Sequence, residues 1–280
     1  MERPARDPLP TTADDATREI EADVATRLAE NPDFTCRVGN FGFIELEESW
    51  GDEATIINTA RVSTSNQRVA DVAAFTDRER QLLYHLLAHN HGTPFETVHF
   101  RWRVIAPIFV LRQWMRHRIG SFNEFSQRYR QPISAYFIPD REARTVGGVE
   151  VMSEAQLAEY CRLMDSLQQF YERSYAETCA RLAAAEEGGL IPRLAGGRNP
   201  YRARARELLR NAMPVATYSD IYWTVNFRSL MNFFDLRRKP EAQTEIRQYA
   251  DAAYAMFLRR FPLLGATMNR VLAEKGGEHR

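Results

Sequence analysis

The sequence predicts an α/β chain of the α+β type, a mixed sheet with long flanking helices. Three observations predict it. Two segments, 100–118 and 215–238, run from a strand pattern directly into a helical one that ends in arginine. Two long stretches, 153–187 and 241–261, carry apolar residues at helical spacing. With 280 residues and 44% hydrophobic content, the chain can fill one substantial core.

Residues 1–32, rich in Pro, Thr, Asp and Ala, read as a flexible N-terminal tail with at most a short helix around 16–30, and residues 33–280 read as a single domain. The domain opens with a strand ending near Leu46, entered through a turn at Gly39-Asn40. Asp52 can cap a short helix through Ala60. Thr76 with Glu79 forms a capping box for the next helix, which runs to about Asn90 on an apolar face of Leu82, Leu83, Leu86 and Leu87. The run His91-Gly92-Thr93-Pro94-Phe95-Glu96 breaks it. His85 and His89 have the spacing of two metal ligands with His91 close by, but no acidic residue completes the zinc-enzyme pattern, so no metal is expected.

Strict alternation over 100–105 predicts a strand, and Pro107 suits the first turn of a helix through Arg118. Arg116, His117 and Arg118 then complement the carbonyl end of that helix, with Gly120 as its left-handed stop. The 153–187 helix carries Leu157, Tyr160, Cys161, Met164, Leu167, Phe170 and Tyr171 on a stripe that is core or a subunit interface. A loop over 188–200 leads to a helix over 202–213 bearing Glu207 and Arg210, which Pro214 ends. The β-branched and aromatic run 215–225 is a strand, after which Asn226 caps a helix over 227–236. On it Arg228 and Asn232 share a face away from the buried stripe, and Arg237 and Arg238 finish it. A last helix spans 241–261, and 276–280 fray.

Zero formal net charge argues against a surface built to attract nucleic acid or anionic membrane. No apolar run is long enough to span a bilayer, and Asp14, Asp15 and Glu19 do not fit a signal peptide, so a cytoplasmic location is expected. Cys36, Cys161 and Cys179 suit neither a disulfide framework nor a zinc knuckle.

Function-capable side chains are densest over 113–129. Three protonatable or cationic groups in a row precede Asn123, Glu124, Ser126 and Arg128, and this is the makeup of an anion-binding site. Ser126 has no evident base partner and reads as a binding group, not a nucleophile.

Arg116-His117-Arg118 followed after seven residues by Ser126 matches the signature of flavin-dependent thymidylate synthases. The segments 91–96, Ala106-Pro107-Ile108-Phe109-Val110 and 223–233 resemble that family's in the same order, over about 41–264. The resemblance implies a homotetrameric catalytic domain whose active sites are shared between subunits. It implies FAD as cofactor, and dUMP, 5,10-methylenetetrahydrofolate and NADPH as substrates. The product is dTMP, formed without a cysteine nucleophile.

Carried over by position, His91, Thr93, Arg116, His117, Arg118, Glu124, Asn226, Arg228 and Asn232 would hold FAD. Gln113, Trp114, Met115 and Arg116, with Glu124, Phe125, Ser126, Gln127 and Arg128 from a neighbouring subunit, would form the dUMP pocket, and Arg128 and Arg210 would hold the phosphate. Arg237 would polarise the uracil and is the expected catalytic residue. Gln127 stands where some relatives carry Gly, and the 188–206 stretch is longer than a minimal member needs. Two rivals are weighed: an FAD-dependent oxidoreductase with another acceptor, and an Arg-rich nucleic-acid-binding protein. Zero net charge and Glu124 within the motif weigh against the second, and the matched dUMP residues against the first.

Overall fold

The computed structural model describes residues 13–65, 67–192 and 199–277. In chain order it contains α1 (Ala13–Glu30), β1 (Thr35–Val38), β2 (Gly42–Trp50), α2 (Glu53–Ala60), α3 (Asp77–Ala88), β3 (His99–Pro107), α4 (Ile108–Trp114) and β4 (Ser121–Glu124). After these come the two-stranded hairpin β5 (Thr145–Val146) and β6 (Val149–Glu150), then α5 (Glu154–Glu187), α6 (Pro200–Leu209), β7 (Tyr218–Asn226), α7 (Phe227–Arg237), α8 (Thr244–Arg260) and α9 (Pro262–Gly277).

The five-stranded sheet has the order β1-β2-β3-β7-β4, and each of its pairings is antiparallel. The expected mixed sheet is therefore corrected, and the register shows why. Trp50 at the end of β2 pairs with His99 at the start of β3, and Pro107 at the end of β3 pairs with Tyr218 at the start of β7. Each long excursion leaves and re-enters the sheet at the same end, whereas a parallel neighbour would need a crossover to the opposite end.

One face of the sheet, with Ile44, Phe100, Trp102, Val104, Ile221, Trp223 and Val225, packs against α2, α3, α7, α8 and α9. Trp102, Trp223, Phe227, Phe233 and Phe257 are fully buried there, each contributing roughly 1.5–3 kcal/mol of apolar burial. Asp52 and Thr76 cap α2 and α3 as the sequence implies. The expected single last helix is two. Pro262 has no N–H with which to continue α8, so it opens α9, which buries Leu264, Met268 and Val271.

α1 covers part of the other face. Ile20 and Val24 pack with Phe43, Ile105, Ile133 and Tyr218, Asp23 pairs with Arg103, and Arg27 pairs with Glu45 at 2.7 Å. The short helix allowed for around 16–30 within the expected tail runs Ala13–Glu30, and it has an apolar stripe and charged partners on the sheet. Residues 1–12, and 278–280 of the expected frayed end, lie outside the described residues.

α5 is 34 residues long, about 51 Å at 1.5 Å per residue. Of its stripe, Tyr171 is buried, hydrogen-bonded to Gln131 at 2.8 Å, while Leu157, Tyr160 and Met164 are half-buried and Phe170 is exposed. Most of the stripe is thus not core of this chain. Among the described residues no helix is long and apolar enough to cross a membrane.

Candidate active site

The chain leaves α4 at Trp114, earlier than the expected helix end at Arg118. Trp114 is fully buried, its ring 4.7 Å from Phe233 and edge-on to Trp223 at 5.5 Å. Anchored there, the backbone turns through Met115 and feeds β4, an edge strand that pairs with β7 from Ser121↔Thr224 to Glu124↔Ile221. Gly120 is not a left-handed stop. It is required by close approach, since a Cβ would stand 2.8 Å from Trp223 Nε1 and 3.0 Å from the Thr224 carbonyl. The Trp114 side chain is core, so at the expected dUMP pocket it is the Trp114 backbone that could meet a ligand. Met115 is half-buried against the same core.

Turning out of α4 splits the basic triplet. His117 points inward and is buried, with Phe233 edge-on to its ring at 5.0 Å. Its Nε2 accepts a hydrogen bond from Arg237 Nε at 2.9 Å, so the imidazole is neutral with its proton on Nδ1. Burial and then the Arg237 charge hold its pKa down to about 4. Arg237 Nη2 donates to the Gln113 carbonyl at 3.2 Å, and the Gln113 side chain donates to Gln243. Two of the three Arg237 nitrogens are thus committed, and among the described residues Nη1 has no acceptor. Burial lowers the Arg237 pKa from its ordinary value, though a guanidinium remains charged at any physiological pH. Arg116 and Arg118 point outward, and their guanidinium groups form no hydrogen bond or ion pair among the described residues.

A second group gathers around the start of α7. Asn226 caps that helix through Oδ1, which accepts from the Ser229 N–H at 2.9 Å, leaving its amide nitrogen for other use. Arg228 and Asn232 lie on the exposed side of α7 and line a groove of about 430 Å³. Leu87, Phe95, Met231 and Phe234 are among its apolar lining. Arg228 Nη1 donates to Glu96 at 2.5 Å, and its side chain crosses so close to Gly92 that a Cβ there would stand 2.6 Å from Nε. His91 and Thr93 flank that glycine and are exposed. The rings of His85 and His91 lie 5.5 Å apart, with His89 4.2 Å from His85.

The third group is β4 and the turn after it. Glu124 Oε1 accepts from the buried Ser219 hydroxyl at 2.8 Å, and the Phe125 N–H donates to the Asp220 carbonyl at 2.8 Å. The Ser126 carbonyl accepts from the Tyr129 and Arg130 amides, and Ser126 and Gln127 are half-buried. Arg128 is ion-paired to Glu207 at 2.6 Å, one turn of helix before Arg210, so the two arginines expected at a phosphate lie in one neighbourhood.

The chain by itself does not bring all three groups together. Arg228 and Arg237 are nine residues apart on α7, so at about 100° per residue they face opposite sides of it. Gln243, Glu96, Glu207 and Ser219 hold the expected site residues, and although Glu96 and Glu207 stand in stretches the sequence marks, none of the four partnerships is legible there. All four partnerships join residues about eighty or more positions apart, and nothing local marks a distant partner.

Residues 45–263 match the model of the family described as thymidylate synthase complementing protein. A flavin-dependent thymidylate synthase from Thermosipho africanus is 36% identical over 79% of this chain and 88% of its own. Another, from Thermus thermophilus, is 34% identical over 83% of this chain and 77% of its own. A solved UMP/dUMP methylase, PolB from Streptomyces cacaoi bound with 5-Br dUMP, superposes with a TM-score of 0.64 at 27% identity, covering 84% of this chain and 97% of that one. With a family match across most of its length, and with relatives this similar, the chain belongs to the flavin-dependent thymidylate synthase family.

Proposed function

We propose that this enzyme converts dUMP to dTMP, with 5,10-methylenetetrahydrofolate as the one-carbon donor, NADPH as reductant and FAD as cofactor, in a homotetramer with shared sites. The observation that carries the reading is the fixed Arg237. His117 and the Gln113 carbonyl hold its guanidinium plane and leave Nη1 as a preorganised, permanently charged donor. Such a group stabilises negative charge that develops on a uracil carbonyl when N3 loses its proton. A neutral His117 suits this role, because an imidazolium could not accept from Arg237.

The donor set fits FAD. Arg116 and Arg118 offer two uncommitted guanidinium forks suited to a pyrophosphate, while Arg228 and Asn232 stand at the rim of an apolar-floored groove, suited to a flat ring with a polar edge. His91, Thr93, His117, Glu124 and Asn226 complete the proposed cofactor set. Bound FAD, reduced by NADPH, would supply the hydride that completes the methyl group.

The chain's own residues bind and orient. Gln113, Met115, Arg116, Glu124, Phe125, Ser126 and Gln127 would border the nucleotide, with Arg128 and Arg210 on its phosphate. Arg128 would exchange Glu207 for that phosphate. Cys36 lies on β1 and Cys161 and Cys179 on α5, and burial pushes the Cys36 thiol pKa up, which disfavours the thiolate.

The deciding measurement is an absorbance spectrum of the purified protein before and after NADPH, with and without dUMP, and with UMP in parallel because PolB is a UMP/dUMP methylase. Flavin bleaching that depends on dUMP is expected. A colourless protein that reconstitution with FAD does not change would overturn the reading.

A further inference from the structure

We propose that α1 is a positioning element for the nucleotide, with Thr17 and Glu19 clamping the segment 125–134 that follows β4. The inference rests on the reading that assigns Phe125, Ser126, Gln127 and Arg128 to dUMP. α1 lies wholly before the stretch that matches the family, 45–263, so family resemblance assigns it no role.

The segment 125–134 has no helix or strand of its own, so whatever fixes it must come from outside. At its far end the Thr17 hydroxyl meets the Ser134 hydroxyl at 2.7 Å and accepts from the Ser134 N–H at 2.7 Å. In the middle, Glu19 Oε2 accepts from Arg130 Nη2 at 2.5 Å. The Arg130 guanidinium carbon in turn lies 5.3 Å from the centre of the Phe125 ring, and the Arg130 amide donates to the Ser126 carbonyl. Ile133 is fully buried in the cluster that holds Ile20 and Val24.

The near end is held through the sheet. Asp23 of α1 pairs with the buried Arg103, Arg103 Nη2 donates to Asp220 at 2.8 Å, and the Asp220 carbonyl takes the Phe125 amide at 2.8 Å. One helix thus holds the middle and end of the segment 125–134 directly and its beginning through Arg103 and Asp220. It makes no hydrogen bond or ion pair to Arg237, His117 or Gln113 among the described residues. Loosening the clamp therefore misplaces the groups that bind nucleotide while leaving the Arg237 geometry intact.

This predicts a split between binding and turnover. In the full-length flavoprotein, Thr17→Val combined with Glu19→Gln should raise the dUMP Kd and KM about fivefold, the effect of roughly 1 kcal/mol of lost preorganisation. kcat at saturating dUMP and FAD occupancy should stay unchanged, amide exchange over 125–131 should quicken several-fold, and Thr17→Ser with Glu19→Asp should restore most of the affinity. Titration calorimetry with dUMP and hydrogen exchange read these directly. An unchanged Kd together with unchanged exchange overturns the clamp, as does a fall in kcat with no change in Kd. If the unaltered protein does not bind dUMP at all, the functional reading falls instead, and the exchange rates of 125–131 then decide alone whether α1 holds the segment.

Discussion

Arg237 and His117 define each other. The guanidinium needs an acceptor on its Nε side, and a buried neutral imidazole supplies one without adding a charge that would quench it. A lysine could not span both His117 Nε2 and the Gln113 carbonyl while presenting a further donor. Arg237→Lys should therefore keep FAD but lose about 100-fold or more in kcat, the usual scale for removing one preorganised oxyanion donor. Steady-state rates beside flavin absorbance check it.

The depressed His117 pKa also sets a pH dependence. Its pKa is about 4 in the fold against ~6.5 in the unfolded chain. Between those values the unfolded state binds the extra proton. The contribution is thus fully present above pH ~6.5 and is lost as pH falls towards about 4, reaching about 3 kcal/mol at most. Denaturant unfolding at pH 7, 5.5 and 4 should show the wild type losing more stability than His117→Gln. Equal losses would mean the imidazole is not buried in its neutral form.

At the level of elements, β4 and β7 depend on Gly120. Trp223 is hemmed in by Trp114, Phe122 and Phe233, so it cannot retreat from a new methyl group. Gly120→Ala should cost about 1–3 kcal/mol, as overpacking does, and scanning calorimetry should record a lower Tm. An unchanged Tm would show that the edge strand gives way freely. The same region shows what a sequence can and cannot disclose. β3, β7 and the Asn226 cap were legible because alternation and capping chemistry are local. β4 was not, since Ser121-Phe122-Asn123-Glu124 has too few residues for a period and becomes a strand only by pairing with β7. The end of α4 was misplaced because Trp114, buried by partners more than a hundred residues away, ends it before the basic triplet. The docking of α1 was missed for the same reason. The motif residues could be named, but not the inward turn of His117 or the ties that hold Arg128 and Arg228 to carboxylates.

At the scale of the whole molecule, the protomer presents its proposed cofactor groups on surfaces that face apart. Arg118 follows His117, which Arg237 contacts, while Arg228 projects from the side of α7 opposite Arg237. Meanwhile α5 exposes Leu163 and Phe170 along a helix that has few buried contacts of its own. A site that needs both arginines is then most simply completed by a second copy of the chain, and symmetry would repeat it around a closed assembly. This arrangement has an arithmetic consequence. Arg118→Ala and Arg228→Ala should each be nearly inactive alone. If the two arginines of one site come from different subunits, co-expressing the variants in equal amounts leaves both intact at about a quarter of sites, because each contributing subunit is the right one about half the time. Activity should recover to about a quarter of wild type. If both arginines of a site belonged to one protomer, every site in the mixture would lack one of them, and mixing would recover nothing.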